Sequence, residues 1–195
     1  MPDTVVLASG NKGKLAELQD ALASTGLILQ PQSEFAVSDA IEDGLTFVEN
    51  ALIKARHASR CTGLPAIADD SGLVVPSLGG APGIYSSRYS GHGDAANNSK
   101  LLEAMANLEG KARRAHFFCV LVYLQSADDP APIIVDGRWY GVIANCPRGD
   151  GGFGYDPIFE DGQSGRCAAE MTMEQKRAVS HRGQAVAALR AQLDR

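Results

Sequence analysis

Three groups of residues carry side chains whose types and spacing suit chemistry on a phosphorylated compound. The first is Ser9-Gly10-Asn11-Lys12-Gly13-Lys14, directly after the apolar run Val5 to Ala8. Glycines let a backbone approach a phosphate closely, amides at a helix N-terminus point at it, and Lys12 or Lys14 adds full positive charge. It is not a Walker A sequence, and alone it reads equally well as a plain turn with two solvated lysines. The second group is acidic: Glu42 and Asp43, then Glu49, then the adjacent pair Asp69-Asp70. A hard cation such as Mg²⁺ takes one or two carboxylates and completes its shell with water and phosphate oxygens. An exposed acidic loop is the other reading for Glu42, Asp43 and Glu49. It suits Asp69-Asp70 less, because adjacent carboxylates behind an apolar strand repel one another unless a cation or donors compensate.

The third group lies late in the chain: Gly151-Gly152-Phe153-Gly154-Tyr155-Asp156, then Lys176, then Ser180-His181-Arg182-Gly183. Phe153 and Tyr155, set among glycines, can offer a stacking face to a base, while Lys176, His181 and Arg182 supply donors for base oxygens or phosphate. Core packing is the plainer reading for Phe153 and Phe159, and surface charge for His181 and Arg182.

Elements of regular structure must hold these groups in place. Val5 to Ala8 reads as a strand feeding a helix marked by Leu15, Leu18, Leu22 and Thr25. A second helix shows Phe47, Ala51, Ala55 and Ala58 along one face, with Thr46 or Gly44 near its start and Gly63 past its end; its other side carries Glu49, Asn50 and Lys54. Leu64 to Ala68 reads as a buried strand that stops at Asp69-Asp70-Ser71-Gly72 and resumes at Leu73. Ser77 to Gly93 reads as a loop in which Tyr85 and Tyr89 can pack, followed by a helical stripe of Leu101, Leu102, Met105 and Leu108. His116 to Leu124 and Ile133 to Ala144 predict paired strands about the turn Ser126 to Pro130, with a bulge at Gly141. Thr172 and Gln175 have capping-box spacing, and Val179, Val186, Leu189 and Leu193 mark a terminal helical region interrupted from Ser180 to Gly183. A strand-helix crossover followed by a hairpin predicts an α/β chain with a mixed sheet flanked by helices, in a single domain over residues 1–195.

Bulk properties narrow the classes. A chain of 195 residues with 45% hydrophobic content buries a core without disulfides or a structural metal. A net charge of -5 opposes a nucleic-acid partner, which needs a basic face. Cys61, Cys119, Cys146 and Cys167 form no CxxC pair, so neither a disulfide framework nor a zinc site is expected. The N-terminus has no basic segment ahead of a long apolar one, and no run approaches the roughly 20 residues a membrane span needs, so the expected location is cytoplasmic with no membrane partner.

In this order, VVLASGNKGK, LTFVENALIKARHA, AIADDSGLVVPSLGGAPGIYSSRYSG, GGFGYDPIF and SHRGQA resemble the inosine triphosphate pyrophosphatase family, over nearly the whole chain. One departure is the segment GHGDAANNSK after Tyr89, shorter than the loop of many bacterial members. The resemblance implies hydrolysis of the non-standard purine nucleoside triphosphates ITP, dITP and XTP to the monophosphate and pyrophosphate, with Mg²⁺, by a homodimer built on a long mixed sheet. By position it implies that Ser9 to Lys14 hold the triphosphate, that Glu42 and Asp70 bind metal, and that Asp70 also acts as the base. Ser71, Phe153 to Asp156, Lys176, His181 and Arg182 would bind nucleotide. The rival readings are a pyrophosphatase with another base preference and a nucleotide-binding regulator without catalysis.

Overall fold

The computed structural model describes residues 4–9, 18, 19 and 22–194. Among them the strands are β1 (Thr4–Leu7), β2 (Ile28–Pro31), β3 (Ala66–Val74), β4 (Arg114–Leu124), β5 (Ile133–Ile143) and β6 (Phe159–Asp161). They form one sheet in the order β2-β1-β3-β4-β5-β6. β1 runs parallel to β2 and β3, whereas β6 runs antiparallel to β5, so the expected mixed α/β sheet is present. The helices are α1 (Phe47–Thr62), α2 (Asp94–Ala104), α3 (Met173–Val179) and α4 (His181–Leu193). The chain divides into two compact units, one of residues 1–70, 119–136 and 184–195, the other of residues 71–118 and 137–183.

In the first unit, Val5 and Leu7 of β1, the helical Leu18 and Leu22, Ile67 of β3, Leu121 of β4 and Leu189 of α4 are fully buried in one apolar cluster. Each such side chain contributes roughly 1.5–3 kcal/mol relative to exposure. On α1 the buried residues Ala51, Ala55 and Ala58 form a smooth stripe, and the helix packs against β1. Of the two expected starts, Thr46 is the cap: its Oγ1 accepts from the Glu49 amide at 3.2 Å. Gly63, at φ 71°, ends the helix in the left-handed region, where a side chain costs energy.

The second unit packs Leu73, Leu101, Met105, Phe117, Trp139, Tyr155, Ile158 and Phe159 together. Phe117 and Phe159 lie 4.6 Å apart, and Trp139 meets Phe159 edge to face at 4.9 Å. The Trp139 indole donates to Asp161 Oδ1 at 2.8 Å, which removes the cost of burying an unmet N–H.

Several local expectations change. β3 does not break at the acidic pair: it runs through Asp69, Asp70 and Ser71 to Val74, with Asp69 and Asp70 both buried. Gly141 is no bulge. It pairs in register with Asp161, and a Cβ there would stand 2.1 Å from the Glu160 carbonyl oxygen, so the glycine admits β6 at close range. The stretch from Ser77 to Gly93 contains short 3-10 turns at Pro76–Leu78 and Gly83–Arg88; Tyr89 packs on the core, but Tyr85 is exposed. The interruption near the C-terminus is a single extended residue, Ser180, between α3 and α4. Thr172 and Gln175 make the reciprocal capping box that their spacing predicts.

Candidate active site

The parallel pair β1 and β3 sets the frame of the acidic group. Leu7 pairs with Ile67, the Ala8 amide donates to the Ile67 carbonyl at 2.8 Å, and there β1 ends. β3 continues past it, which places Asp69 and Asp70 just beyond the carboxyl end of β1, where ligands of open α/β sheets bind. The half-buried Ser9 stands at that end, its amide donating to the Leu7 carbonyl at 3.0 Å. The remaining residues of the expected phosphate turn, Gly10, Asn11, Lys12, Gly13 and Lys14, lie outside the described residues.

Glu42 and Asp70 converge. Lys54, from the middle of α1, donates to Asp70 Oδ1 at 2.8 Å and stands 3.3 Å from Glu42 Oε2. Burial by itself lowers the affinity of this amine for its proton, but the charges of Asp70, Asp69 and Glu42 and the bond to Asp70 outweigh it and hold the Lys54 pKa above its ordinary value of 10.5. Glu49 has another use. Its Oε2 accepts from the Leu45 amide at 2.8 Å and the Thr46 hydroxyl at 2.9 Å, closing the first turn of α1, and Asp43 is exposed.

Two carboxylates on one cationic point are the donor set that Mg²⁺ takes from a protein. Among the described residues no group of three or more His, Cys, Asp and Glu side chains converges.

In the second unit the late residues assemble around Asp156, which is 2% exposed. Its Oδ2 accepts from the Phe153 amide at 2.8 Å and from Lys176 Nζ at 2.5 Å. Gly152, at φ 75°, permits this: a Cβ there would fall 2.1 Å from Asp156 Oδ2. The ammonium of Lys176 lies 4.5 Å and the guanidinium of Arg182 5.8 Å from the centre of the Phe153 ring. Phe153 keeps 40% of its surface exposed and so presents an aromatic face framed by two cations. The Gly154 amide donates to Asp94 Oδ2 at 2.7 Å, and its carbonyl accepts from Asn98 Nδ2 at 3.0 Å, which fastens the glycine-rich turn to α2.

The other aromatic of this turn does not serve the expected purpose. Tyr155 is buried in the core, and its hydroxyl donates to the Ser86 carbonyl at 2.8 Å. Burial first, then the neighbouring Tyr89 and Asp94, push its ionisation above the usual phenol range. It anchors the turn and offers no stacking face. Phe159 is core, as its plainer reading had it.

His181 and Arg182 are not surface charges: both are buried. The His181 ring stacks on Phe117 at 4.8 Å and 11°. Arg182 Nη2 donates to Ser71 Oγ at 3.2 Å, so Ser71 and Arg182 are brought together. Gly183 makes this turn possible, since a Cβ there would lie 1.9 Å from the Arg177 carbonyl oxygen.

Lys54 is the functional candidate that sequence reasoning passed over. The available signal was a single lysine among Glu49 and Asn50 on the polar side of α1, which does not reveal that two distant carboxylates meet it.

The model of the Ham1 family matches residues 5–192. A dITP/XTP pyrophosphatase of Yersinia pseudotuberculosis is 57% identical over 184 residues, covering 93% of this chain and 93% of that protein. Among solved structures, a HAM1 protein from Coxiella burnetii superimposes with a TM-score of 0.93 at 49% identity, over 98% of each chain. The Ham1 protein of Staphylococcus aureus gives a TM-score of 0.89 at 37% identity, again over 98% of each chain.

Proposed function

The chain belongs to the Ham1 family, and from that membership we propose that it is a Mg²⁺-dependent pyrophosphatase of ITP, dITP and XTP, releasing the monophosphate and pyrophosphate. The observation that carries this reading is the meeting of Glu42 and Asp70 at Lys54 beyond the carboxyl end of β1. A relative named dITP/XTP pyrophosphatase, identical at 57% of positions, supports the substrate class.

In this mechanism Glu42 and Asp70 hold Mg²⁺. When bound, the ion neutralises phosphate charge and makes the α-phosphorus a better electrophile. Ser9 to Lys14 hold the triphosphate. Asp70 orients a water in line with the α-phosphorus and takes its proton as the oxygen attacks, and pyrophosphate leaves. Lys54 fixes Asp70 Oδ1, so the carboxylate does not reorganise as charge develops; such preorganisation supplies much of the rate in phosphoryl chemistry.

The residues around Phe153 handle the base. Phe153 stacks on it. Arg182, held by Ser71, and Lys176, held by Asp156, present donors to a 6-oxo group, against which the amino group of adenine sets donor against donor. His181, stacked on Phe117, fixes the first turn of α4 and so the place of Arg182. The same reading makes the protein a homodimer of single-domain subunits in the cytoplasm, without a nucleic-acid or membrane partner. Among the described residues no helix is long and apolar enough to cross a membrane.

The test is a panel of ITP, dITP, XTP, GTP and ATP with and without Mg²⁺, assayed separately for pyrophosphate and orthophosphate. Mg²⁺-dependent pyrophosphate from the first three is expected. Orthophosphate as product, or equal rates on ATP, would overturn the assignment, and binding without turnover would indicate a regulator.

A further inference from the structure

The loop that carries Glu42 has almost no apolar anchorage. From Ala36 to Thr46 no residue is buried, and its two large aliphatic side chains, Ile41 and Leu45, are 84% and 83% exposed. Hydrophobic packing therefore does not set its position. Polar contacts do, and they come mainly from one face of α1. Asn50, Lys54 and His57, spaced by four and then three residues, share that face. Asn50 Oδ1 accepts from the Gly44 amide at 2.9 Å, Lys54 reaches Glu42, and His57 Nε2 meets the Ser38 carbonyl at 2.9 Å. A carbonyl only accepts, so Nε2 carries the proton of that bond.

The partners run 44, 42, 38 as the helix runs 50, 54, 57. The loop thus lies alongside α1 in the opposite direction, on three rungs. A fourth tie reaches the same segment from the end of β2, where the buried Gln32 donates to Asp39 Oδ1 at 2.7 Å. Contact at the first rung is so close that a Cβ on Gly44 would stand 2.6 Å from Glu49 Cβ and 2.7 Å from Asn50 Oδ1. Asn50 is itself 1% exposed; its Oδ1 is met by the loop while its Nδ2 is buried without a hydrogen-bond partner among the described residues, so the amide is kept at a cost that its bond to the loop offsets only in part.

We propose that Asn50 and His57 are positioning residues that fix the Glu42 carboxylate by clamping its loop to α1 on either side of it, and thereby set metal affinity. The inference rests on the reading of Glu42 as a metal ligand. Neither residue touches substrate or metal; each acts through the backbone at Gly44 or Ser38.

The experiment measures Mn²⁺ binding to the nucleotide-free protein by electron paramagnetic resonance, and amide hydrogen exchange across residues 38–45, for wild type, Asn50→Leu, His57→Ala, Asn50→Asp and Glu42→Gln. Asn50→Leu and His57→Ala should each accelerate exchange in the loop and weaken Mn²⁺ binding by about 10- to 100-fold, the range seen when groups that orient metal ligands are removed. Turnover at saturating Mg²⁺ should stay close to wild type. Asn50→Asp keeps an acceptor for the Gly44 amide and should restore slow exchange there. His57 is only partly buried, so its variant keeps the test alive if Asn50→Leu fails to fold. If Glu42→Gln leaves Mn²⁺ binding unchanged, the assignment of Glu42 fails. If Glu42→Gln weakens binding while Asn50→Leu and His57→Ala do not, the positioning role is refuted.

Discussion

Lys54 Nζ stands 2.8 Å from Asp70 Oδ1 and 3.3 Å from Glu42 Oε2. One ammonium, on a helix, thus joins a carboxylate on a strand to another on a loop. Both Lys54 and Asp70 side chains are largely buried, at 15% and 11% exposure, so the pair works where solvent screens little.

Asp70→Asn should fold and lose turnover. General-base assistance is worth about 10² to 10⁴ in rate, and loss of a metal ligand adds to it. Pyrophosphate release at saturating Mg²⁺, set beside an unchanged circular dichroism spectrum, checks this. Near-normal rates would remove Asp70 from the mechanism.

Lys54→Met should destabilise the protein as well as slow it, because Asp70 would remain buried beside Asp69 without the Lys54 ammonium. Breaking a buried pair from one side costs about 3–5 kcal/mol, and the residual exposure puts this case at the lower end. For a chain of this length about 3 kcal/mol corresponds to a fall of roughly 6–12 °C in the melting midpoint. A midpoint equal to wild type would show the pair to be unimportant for stability.

Phe153→Ala should leave the melting midpoint almost unchanged, since the ring is 40% exposed. It should raise KM for the nucleotide. Stacking of a base on an aromatic ring is worth about 1–3 kcal/mol, or about 5- to 150-fold in binding. Steady-state kinetics with ITP would check this, and an unaltered KM would exclude Phe153 as the stacking platform.

Arg182→Ala should erase base discrimination more than catalysis. Sites that hydrogen-bond a substrate group reject analogues lacking it by up to about 10⁴ to 10⁵ fold. The ratio of kcat/KM for ITP to that for ATP should fall toward one, a quantity insensitive to how much variant is folded. A ratio equal to wild type would take Arg182 out of base selection.

Trp139→Phe probes the pH dependence of the second unit. Burial alone would raise the Asp161 pKa, but the bond from Trp139 and those from Ser164 prevail and hold it below its ordinary value of 3.8. A depressed carboxylate pKa contributes stability that is present above the unfolded value and lost as pH falls through the folded one. Urea unfolding should show wild type ahead of the variant at pH 6, with a hydrogen-bond share of about 1.5–3 kcal/mol. The charge-assisted part of that share should be lost as pH falls from 3.8 through the lower folded-state pKa, leaving the packing difference and the weaker bond to a neutral carboxyl; a gap independent of pH would contradict it.

Much of the local architecture was legible in the residues themselves. The Thr46 cap, the Gly63 stop and the Thr172–Gln175 capping box depend on partners within four residues, so a linear pattern contains them whole. The apolar run of β1 and the alanine stripe of α1 likewise announce a buried strand and a buried helix face. The acidic pair, Gly141, Tyr155 and Asn50 were not legible in this way. β3 continues through Asp69 and Asp70 although carboxylates side by side look like a break, because a cation from α1 compensates them. Gly141 answers to the Glu160 backbone, and Tyr155 to Ser86.

The sequence by itself determined the α/β class, through the pattern of its elements, and the family resemblance, through the quoted motifs in their order; the roles expected of its residues toward phosphate, metal and base are what that resemblance implies. Only the tertiary structure decided that Lys54 unites Glu42 with Asp70, that Phe153 is the exposed ring while Tyr155 is an anchor, and that His181 and Arg182 are buried. Those outcomes depend on which distant backbone and side chains meet, and burial and hydrogen-bond satisfaction are settled only once the elements have packed.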